Sequence, residues 1–228
     1  MIGIIGAMEL ETKEICALLE NRKDSTKAGM PFVTGLLDGT PVVVSTCGPG
    51  KVFASCCAQI MILEYHPDYV INIGVGGTLS PSLHVCDLAV ATGTVQHDMD
   101  TSPLGDPKGQ VSKINKLLFE CSDKLLSAAR AALDETGIKA VFGVIATGDQ
   151  FIDSHAKKEE LSKDFNAICC EMEGGAIGQT CYINDTEYLV LRAISDEADG
   201  SAPISFESFA VKAAAQTVLF LRALLPHI

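Results

Sequence analysis

Short runs of β-branched and other apolar residues alternate along this chain with longer amphipathic stretches, and this alternation restricts the possible folds strongly. Glycine or acidic residues recur where an apolar run gives way to an amphipathic stretch. A chain with this pattern buries the apolar runs as strands of a sheet and packs the amphipathic stretches on it as helices. The pattern predicts an α/β fold, and 228 residues suit a single domain spanning residues 1–228.

The predicted elements follow from periodicity and from helix-ending signals such as Gly137. The predicted strands cover residues 2–5, 41–46, 69–73, 87–91, 140–146, 167–170 and 188–194, and residues 31–37 are expected to add a hairpin strand. The predicted helices cover residues 9–20, 51–64, 123–135, 174–182 and 206–225. The most polar long connection runs from about residue 96 to 115, and a loop of that length usually covers a site or an interface.

The charge balance excludes several classes of partner. Seventeen basic and 29 acidic residues give a formal net charge of −12, which opposes attraction to nucleic acids and to anionic lipid surfaces. We find no apolar run that we expect to span a bilayer, and the first six residues are predicted to form a strand of the fold rather than a signal peptide. The nine cysteines lie mostly in apolar runs, which is typical of a reducing compartment. We therefore expect a cytoplasmic protein without nucleic acid or membrane partners.

Glycines and carboxylates follow the predicted strands. In open α/β sheets, ligands bind beyond the carboxyl ends of the strands. In this chain those ends are residues 6–11, 47–51, 74–77, 147–152, 171–174 and 195–196. If all the strands are parallel, these residues gather at one edge of the sheet and form a site there.

Glu11 is the most informative single residue. It shares one face of the first predicted helix with Met8 and Ile15, by three- and four-residue spacing, so its carboxylate is expected to face the sheet. An inward carboxylate must be paired, hydrogen-bonded or raised in pKa, and such a group can act as a general base for water. The alternative is a first-turn glutamate favoured by the helix dipole, which describes Glu9 better than Glu11.

Two further strand ends carry charged side chains. Glu171 and Glu173 are placed on one side of a strand by alternation, and a carboxylate there can accept hydrogen bonds from two adjacent hydroxyls, as in a ribose; helix N-capping by Glu173 remains equally open. Arg192 lies inside an apolar strand and needs an anion, so structural pairing is the alternative to ligand binding. Asp196 ends that strand, where it can protonate a purine ring nitrogen or cap the next segment.

Three other motifs do not support their usual functions. Residues 48–52 lack the spacing and the Ser or Thr that a P-loop requires, and residues 74–77 lack the third glycine of a dinucleotide-binding fingerprint. His84 and His97 have no second cluster of ligands at a recognised spacing, so we expect no metal site.

Five segments together resemble the 5′-methylthioadenosine/S-adenosylhomocysteine nucleosidase family. They are GIIGAMELE at residues 3–11, NIGVGG at 72–77, GDQFI at 148–152, EME at 171–173 and RAISD at 192–196. The resemblance covers nearly the whole chain. It implies the nucleoside phosphorylase-like fold, a three-layer α/β/α domain with a central mixed sheet, working as a homodimer on a small nucleoside without a cofactor or metal.

The resemblance also implies roles for the candidate residues. Glu11, with Arg192, would orient and activate the attacking water. Asp196 would act as general acid at adenine N7 with help from Ser195. The remaining substrate contacts would come from Met172 and Glu173 at the ribose, Phe151 and Ile152 at the base, and Met8 and Phe206 in the apolar pocket.

The chain departs from the family pattern in two places. Val75, followed by Gly76, stands where many relatives have a serine near the catalytic water, and a backbone group could serve instead. The positions expected around the 5′ substituent are Pro49, Thr101 and Leu104. Methylthioadenosine, adenosylhomocysteine, deoxyadenosine and a futalosine-type nucleoside all remain candidates for the substrate.

Hydrolysis is favoured over phosphorolysis, because the carboxylates at residues 6–11 repel phosphate and suit water. The alternatives are a phosphate-dependent purine nucleoside or methylthioadenosine phosphorylase, and a non-catalytic nucleoside-binding protein of the same fold.

Overall fold

The computed structural model describes residues 1–198 and 202–228, with the backbone alone for residues 202–205 and 207. The strands are β1 (Ile2–Gly6), β2 (Glu20–Lys27), β3 (Met30–Leu37), β4 (Thr40–Thr46), β5 (Tyr69–Thr78), β6 (Leu88–Gln96), β7 (Phe119–Glu120), β8 (Ala140–Thr147), β9 (Ala167–Glu171) and β10 (Glu187–Asp196). The helices are α1 (Glu9–Leu18), α2 (Lys51–Tyr65), α3 (Asp123–Thr136), α4 (His155–Phe165), α5 (Gly174–Ile183) and α6 (Ala202–Leu224).

Helix α3 shows how local sequence signals set the ends of an element. The Ser122 hydroxyl accepts a hydrogen bond from the Leu125 backbone N–H at 3.4 Å, which satisfies one free donor of the first turn. Gly137 ends the helix in the left-handed conformation at φ 63°. Between these caps, Leu125, Ala128 and Ala132 form a buried stripe at helical spacing, so the predicted helix and its stop at Gly137 are confirmed.

The strands form one mixed sheet in the order β10-β6-β8-β9-β5-β1-β4-β3-β2. Strands β1, β4, β5 and β10 run parallel, whereas β6, β8 and β9 run in the opposite direction. Strand β10 also pairs with β5, so β5, β10, β6, β8 and β9 close into a ring of five strands. The ring forms the part of the sheet nearest the predicted site.

Helices cover both faces of this sheet. Helices α1 and α3 each pack against α6 on one face, while α2 packs against α5 on the other. The apolar strands between the two helical layers supply most of the core. The three-layer α/β/α arrangement with a central mixed sheet, which the family resemblance implied, is confirmed.

The sequence analysis expected the site residues to gather at one edge of the sheet if all the strands were parallel. The strands are not all parallel. The strand ends nevertheless meet, because β5 and β9 overlap in antiparallel fashion only at their carboxyl ends. Gly77 pairs with Cys170, and Thr78 pairs with Cys169. Antiparallel neighbours that overlap in this way bring the residues after both strands to the same place.

Three of these strands and helices lie outside the predicted set: β2, the two-residue strand β7 and α4. The predicted helix at residues 9–20 ends at Leu18, and the chain continues as β2, whose residues are almost all exposed. Strand β2 is formed by pairing with β3 and has no apolar alternation for a sequence pattern to detect. Helix α4 has Leu161 as its one buried residue, so its sequence carries no apolar stripe.

The C-terminal helix also corrects an expectation. No segment was expected to be able to span a bilayer. The segment Ser208–His227, with a mean hydropathy of 1.4, is nevertheless long and apolar enough to do so by length and composition. Half of this stretch is buried within the fold. Ala213, Phe220 and Leu221 are fully buried, and α6 packs on β5 and β10, as a core helix does.

Candidate active site

A cavity of about 240 Å³ lies where the ends of β1, β5, β9 and β10 converge. Its wall includes eleven of the twelve predicted site residues: Met8, Glu11, Val75, Gly76, Phe151, Ile152, Met172, Glu173, Ser195, Asp196 and Phe206. Arg192 is the exception. Residues from six separate segments of the chain thus meet in one cavity whose wall is mostly apolar.

The carboxylate of Glu11 is held in place by the backbone. Its Oε2 accepts hydrogen bonds from the N–H groups of Ala7 at 2.7 Å and Met8 at 2.9 Å, and its Oε1 accepts one from Val75 at 3.1 Å. The residue is only 3% exposed. Burial raises the pKa of Glu11; the nearby Arg192 charge and the three backbone N–H groups oppose this shift without cancelling it.

Gly74 leaves the space that Glu11 occupies. A Cβ atom at position 74 would lie 2.7 Å from Glu11 Oε1 and 3.2 Å from its Cδ, closer than nonbonded atoms approach. The glycine in the NIGVGG segment is therefore required by the close approach of the Glu11 carboxylate to β5.

Arg192 lies behind the cavity wall rather than in it. The side chain is 1% exposed, and its Nη2 donates to Asn72 Oδ1 at 2.6 Å and to Glu171 Oε2. The same nitrogen lies 3.6 Å from Glu173 Oε2. The anion that the sequence required for Arg192 is thus chiefly Glu171, and the guanidinium stands among the carboxylates that face the cavity.

Glu171 was noted in the sequence beside Glu173 but was not counted among the predicted site residues. Its Oε2 accepts hydrogen bonds from the backbone N–H groups of Glu173 at 3.0 Å and Gly174 at 2.7 Å, and its Oε1 accepts one from the Thr147 hydroxyl. Glu171 therefore caps the start of α5 and pairs Arg192 at the same time. Its place beside Glu173 in the EME segment was the signal that could have found it.

Glu173 faces the cavity, and one of its oxygens is hydrogen-bonded to the residue that precedes α2. Its Oε1 accepts a hydrogen bond from the Gly50 backbone N–H at 2.9 Å. Burial, reinforced by the neighbouring Glu171 charge, raises the pKa of Glu173 to about 7, although Arg192 and Gly50 oppose the shift. Glu173 therefore keeps its proton to a higher pH than an exposed glutamate does.

Ser195 and Asp196 form the end of β10 on another side of the cavity. The Ser195 hydroxyl donates to Asp196 Oδ2 at 2.8 Å, and the Ala198 backbone N–H donates to Asp196 Oδ1 at 2.9 Å. Both residues are buried. The carboxyl group of Asp196 is thus oriented before any ligand binds, as a directional proton donor requires.

Aromatic rings form the outer wall. The rings of Phe151 and Phe206 meet edge to face, with centroids 5.9 Å apart and an interplanar angle of 90°. Phe151 is 49% exposed, whereas the adjacent Ile152 is buried. Thr101 and Leu104, considered for the 5′ pocket from the sequence, do not line this cavity, and Leu104 is 84% exposed; Pro49 does line it.

The cavity combines the groups that acid–base chemistry on a nucleoside requires. Glu11 can take a proton, Asp196 can supply one, and apolar side chains can exclude bulk water from the space between them. Within residues 1–198 and 202–228, no three His, Cys, Asp or Glu side chains are arranged to hold a metal ion.

Comparison with known proteins places the chain in a family. A family model described as the phosphorylase superfamily matches residues 1–226. The chain therefore belongs to the phosphorylase superfamily, whose members share the fold described above.

Closer relatives narrow the assignment. The 5′-methylthioadenosine/S-adenosylhomocysteine nucleosidase of Shewanella loihica is 37% identical to the chain, over all of the chain and 99% of the relative. The nucleosidase of Colwellia psychrerythraea, solved with adenine, superposes with a TM-score of 0.95 at 35% identity, over 99% of this chain and 94% of that one. Within the superfamily, the chain is a member of the 5′-methylthioadenosine/S-adenosylhomocysteine nucleosidase family and a hydrolase of N-glycosyl bonds.

Two further solved structures bear on the ligand. The nucleosidase of Neisseria meningitidis, in complex with methylthio-immucillin-A, superposes with a TM-score of 0.96 at 34% identity, over 100% of this chain and 99% of that one. The futalosine hydrolase of Helicobacter pylori gives the same TM-score and identity, over 100% of this chain and 97% of that one.

Proposed function

We propose that this enzyme uses water to release adenine from 5′-methylthioadenosine, S-adenosylhomocysteine or both. The observation that carries the proposal is the Glu11 carboxylate, which three backbone N–H groups fix in the wall of a cavity that also contains Asp196. Relatives with the same fold were solved with adenine and with methylthio-immucillin-A. The cavity is mostly apolar, which suits a thioether substituent on the sugar.

In this mechanism Glu11 acts as the general base. Its carboxylate takes a proton from a water molecule as the water attacks C1′ of the ribose. A raised pKa makes the ionised carboxylate a stronger base toward water, while Arg192 and the backbone N–H groups stabilise the ionised form. Val75 contributes its backbone N–H to Glu11, so this mechanism needs no hydroxyl at position 75.

The departing adenine requires a proton, and the sugar develops positive charge. Asp196 protonates N7 of the purine as the bond breaks, with Ser195 holding its carboxyl group. Glu173 accepts hydrogen bonds from the ribose hydroxyls, and the carboxylates around Arg192 stabilise the oxocarbenium-like ribosyl cation electrostatically. The reaction thus places a proton donor at the base and negative charge at the sugar.

The remaining wall residues position the substrate. Phe151 stacks on the purine, and the Ile152 backbone hydrogen-bonds it. Met172 packs against the ribose, while Met8, Phe206 and the Val75–Gly76 segment of β5 enclose the sugar and its 5′ substituent. All these residues line the same cavity.

We also propose that the chain acts as a cytoplasmic homodimer of one domain per subunit. Val52, Phe53 and Ile183 on helices α2 and α5 are 74%, 55% and 59% exposed, and Val52 and Ile183 border the same surface depression. Leu104, in the connection between residues 96 and 115, is 84% exposed. An apolar surface on these two packed helices, with an apolar residue on the adjacent loop, is typical of an interface between subunits.

A futalosine-type nucleoside is the second candidate substrate. The similarity to the Helicobacter pylori futalosine hydrolase supports it as strongly as the nucleosidase structures support the first. The two candidates are different nucleosides, so a direct comparison of turnover on each separates them.

The test is release of the purine base from methylthioadenosine, adenosylhomocysteine and futalosine-type nucleosides, in buffers with and without phosphate, with the base and the sugar product identified by mass. We expect a free ribose derivative at a rate that does not depend on phosphate. A ribose 1-phosphate product would instead identify a phosphorylase, and binding without release would identify a nucleoside-binding protein.

A further inference from the structure

Lys51, Asp98 and Asp149 form a closed ring of polar contacts beside the cavity. The Lys51 ammonium contacts Asp98 Oδ1 at 2.6 Å. The other oxygen of Asp98 accepts a hydrogen bond from the Asp149 backbone N–H at 2.9 Å. Asp149 Oδ1 then accepts one from the Lys51 backbone N–H at 2.8 Å, which completes the ring.

The ring joins three segments that are far apart in the sequence. Lys51 begins α2, Asp98 follows β6 at the start of the 96–115 connection, and Asp149 follows β8 in the GDQFI segment. Phe151 and Ile152, which line the cavity, follow Asp149 by two and three residues. The hydrogen bond between Asp149 and Lys51 therefore connects these cavity residues to the start of α2.

The start of α2 also holds Glu173. The Gly50 backbone N–H donates to Glu173 Oε1 at 2.9 Å, and the next N–H, from Lys51, donates to Asp149. Adjacent free donors at the helix N-terminus are thus shared between two carboxylates from opposite sides of the site. Gly50 has φ 95°, and a Cβ there would lie 3.0 Å from Asp149 Oδ1, so glycine suits both its backbone conformation and this approach.

The ring is partly shielded from solvent. The Lys51 and Asp98 side chains are 19% and 20% exposed, less than those of most other ion pairs in the described structure. Burial alone would raise the pKa of Asp98, but Lys51 and the Asp149 N–H outweigh it, and the pKa is lowered overall. The ion pair is accordingly maintained throughout the neutral pH range.

We propose that Lys51, Asp98 and Asp149 are positioning residues that fix the purine-contacting segment at a set distance from the ribose acceptor Glu173. This proposal rests on the proposed function, because it assumes that Phe151 and Ile152 contact the base and Glu173 the sugar. None of these three residues lines the cavity. The ring therefore affects the binding and turnover of a ligand that contacts both the purine segment and Glu173. It has little effect on a ligand that contacts only one of them.

The test compares a ligand that contacts only the purine segment with a ligand that contacts both the purine segment and Glu173. Free adenine reports the purine segment alone, whereas methylthioadenosine spans the purine segment and Glu173. In Asp98→Asn we expect kcat for methylthioadenosine to fall about ten- to a hundredfold, the range for small misplacement of reacting groups, while the Kd of adenine stays within about threefold of wild type. Glu64→Gln removes the carboxylate of the exposed Lys27–Glu64 pair, also 2.6 Å long, and serves as the matched control.

A double-mutant cycle assigns the effect to the ring. If Lys51 and Asp98 act through their ion pair, the Lys51→Met/Asp98→Asn double variant loses no more kcat than the more impaired single variant. The thermal midpoint of each variant shows whether the fold is kept. Unchanged kcat in Asp98→Asn, or an equal loss of kcat and adenine affinity, would overturn the proposal.

If the proposed function is wrong, the wild-type enzyme itself releases no adenine, and this result is distinct from any effect of the ring variants. In that case the affinities for methylthioadenosine and adenine still test the ring, because Asp98→Asn must weaken the first more than the second. Equal weakening of both, or of neither, would overturn the ring proposal.

Discussion

Glu11 accepts a hydrogen bond from the Val75 backbone N–H over 3.1 Å, and this contact joins the first turn of α1 to the middle of strand β5. With the two bonds from Ala7 and Met8, it fixes both oxygens of the carboxylate. Three main-chain donors thus set the position of the carboxylate that the proposed mechanism uses as its base.

Glu11→Gln should reduce turnover by roughly two to four orders of magnitude, the usual contribution of a general base. The fold should be retained, because the amide oxygen can still accept the two hydrogen bonds from Ala7 and Met8 and only the bond from Val75 is lost. Glu9→Gln is the matched control, since Glu9 lies exposed in the same helical turn. Steady-state adenine release and thermal midpoints for both variants make the test. Near-wild-type turnover in Glu11→Gln would remove its assigned role.

Asp196→Asn should slow adenine release by about 10²-fold or more, because an amide cannot protonate N7. The loss should depend on the substrate. With a 7-deaza analogue, which lacks the accepting nitrogen, the wild-type enzyme and the variant should be similarly slow. A large difference between the two enzymes on the 7-deaza analogue would contradict the assignment of Asp196 to N7.

Gly74→Ala should impair activity by displacing the Glu11 carboxylate, since the new Cβ would lie 2.7 Å from its Oε1. The same substitution made in the Glu11→Gln background should cause little further loss, because the two changes affect one group. Measurement of kcat for the two single variants and the double variant completes the cycle. Additive losses would show that Gly74 acts through something other than Glu11.

The raised pKa of Glu173 predicts a pH dependence of stability. Its pKa in the folded state is about 7, above the ordinary value of 4.5, so the folded protein binds more protons than the unfolded chain between these values. The contribution of Glu173 to the free energy of unfolding therefore falls as pH rises from about 4.5 to about 7. Denaturant unfolding at pH 5 and pH 8 should show a smaller change in Glu173→Gln than in wild type. An equal change in both would locate the proton elsewhere.

The proposed subunit interface predicts a change of size on mutation. Ile183→Asp should shift the protein from dimer to monomer in light scattering, because it places a charge in an exposed apolar surface. Val211→Asp is the control, since Val211 is 71% exposed on α6, away from the α2–α5 surface. A monomeric wild-type protein, or a dimer that survives Ile183→Asp, would contradict this interface.

The sequence predicted those parts of the fold in which apolar periodicity and burial coincide. The helical face with Met8, Glu11 and Ile15 correctly indicated that a carboxylate turns inward, and Glu11 is indeed 3% exposed. Strand β2 was missed because its residues are set by pairing with β3 and not by burial. Strands β5 and β6 extend past their predicted ends because glycines and threonines there are buried by neighbours that a local window does not contain.

The sequence indicated which residues line the cavity, but it did not indicate which of them contact one another. Strand ends rich in glycine and carboxylate identified the cavity wall, but not which carboxylate Arg192 pairs with. That choice depends on β10 and β9 meeting in three dimensions, where Glu171 reaches the guanidinium first. The Lys51–Asp98–Asp149 ring was equally hidden, because its three members are separated in the sequence by about fifty residues each.

The closure of five strands into a ring has a consequence for the rest of the sheet. At the ring end, β10 pairs with β5, so the sheet turns back on itself and leaves β2 as the long free edge. An unpaired edge strand is a template for aggregation unless its side chains discourage further pairing. Strand β2 reads ENRKDSTK, with charges of both signs and almost every residue exposed. Its polar sequence thus protects the sheet against edge-to-edge association at the point where the fold leaves its backbone hydrogen-bonding groups open.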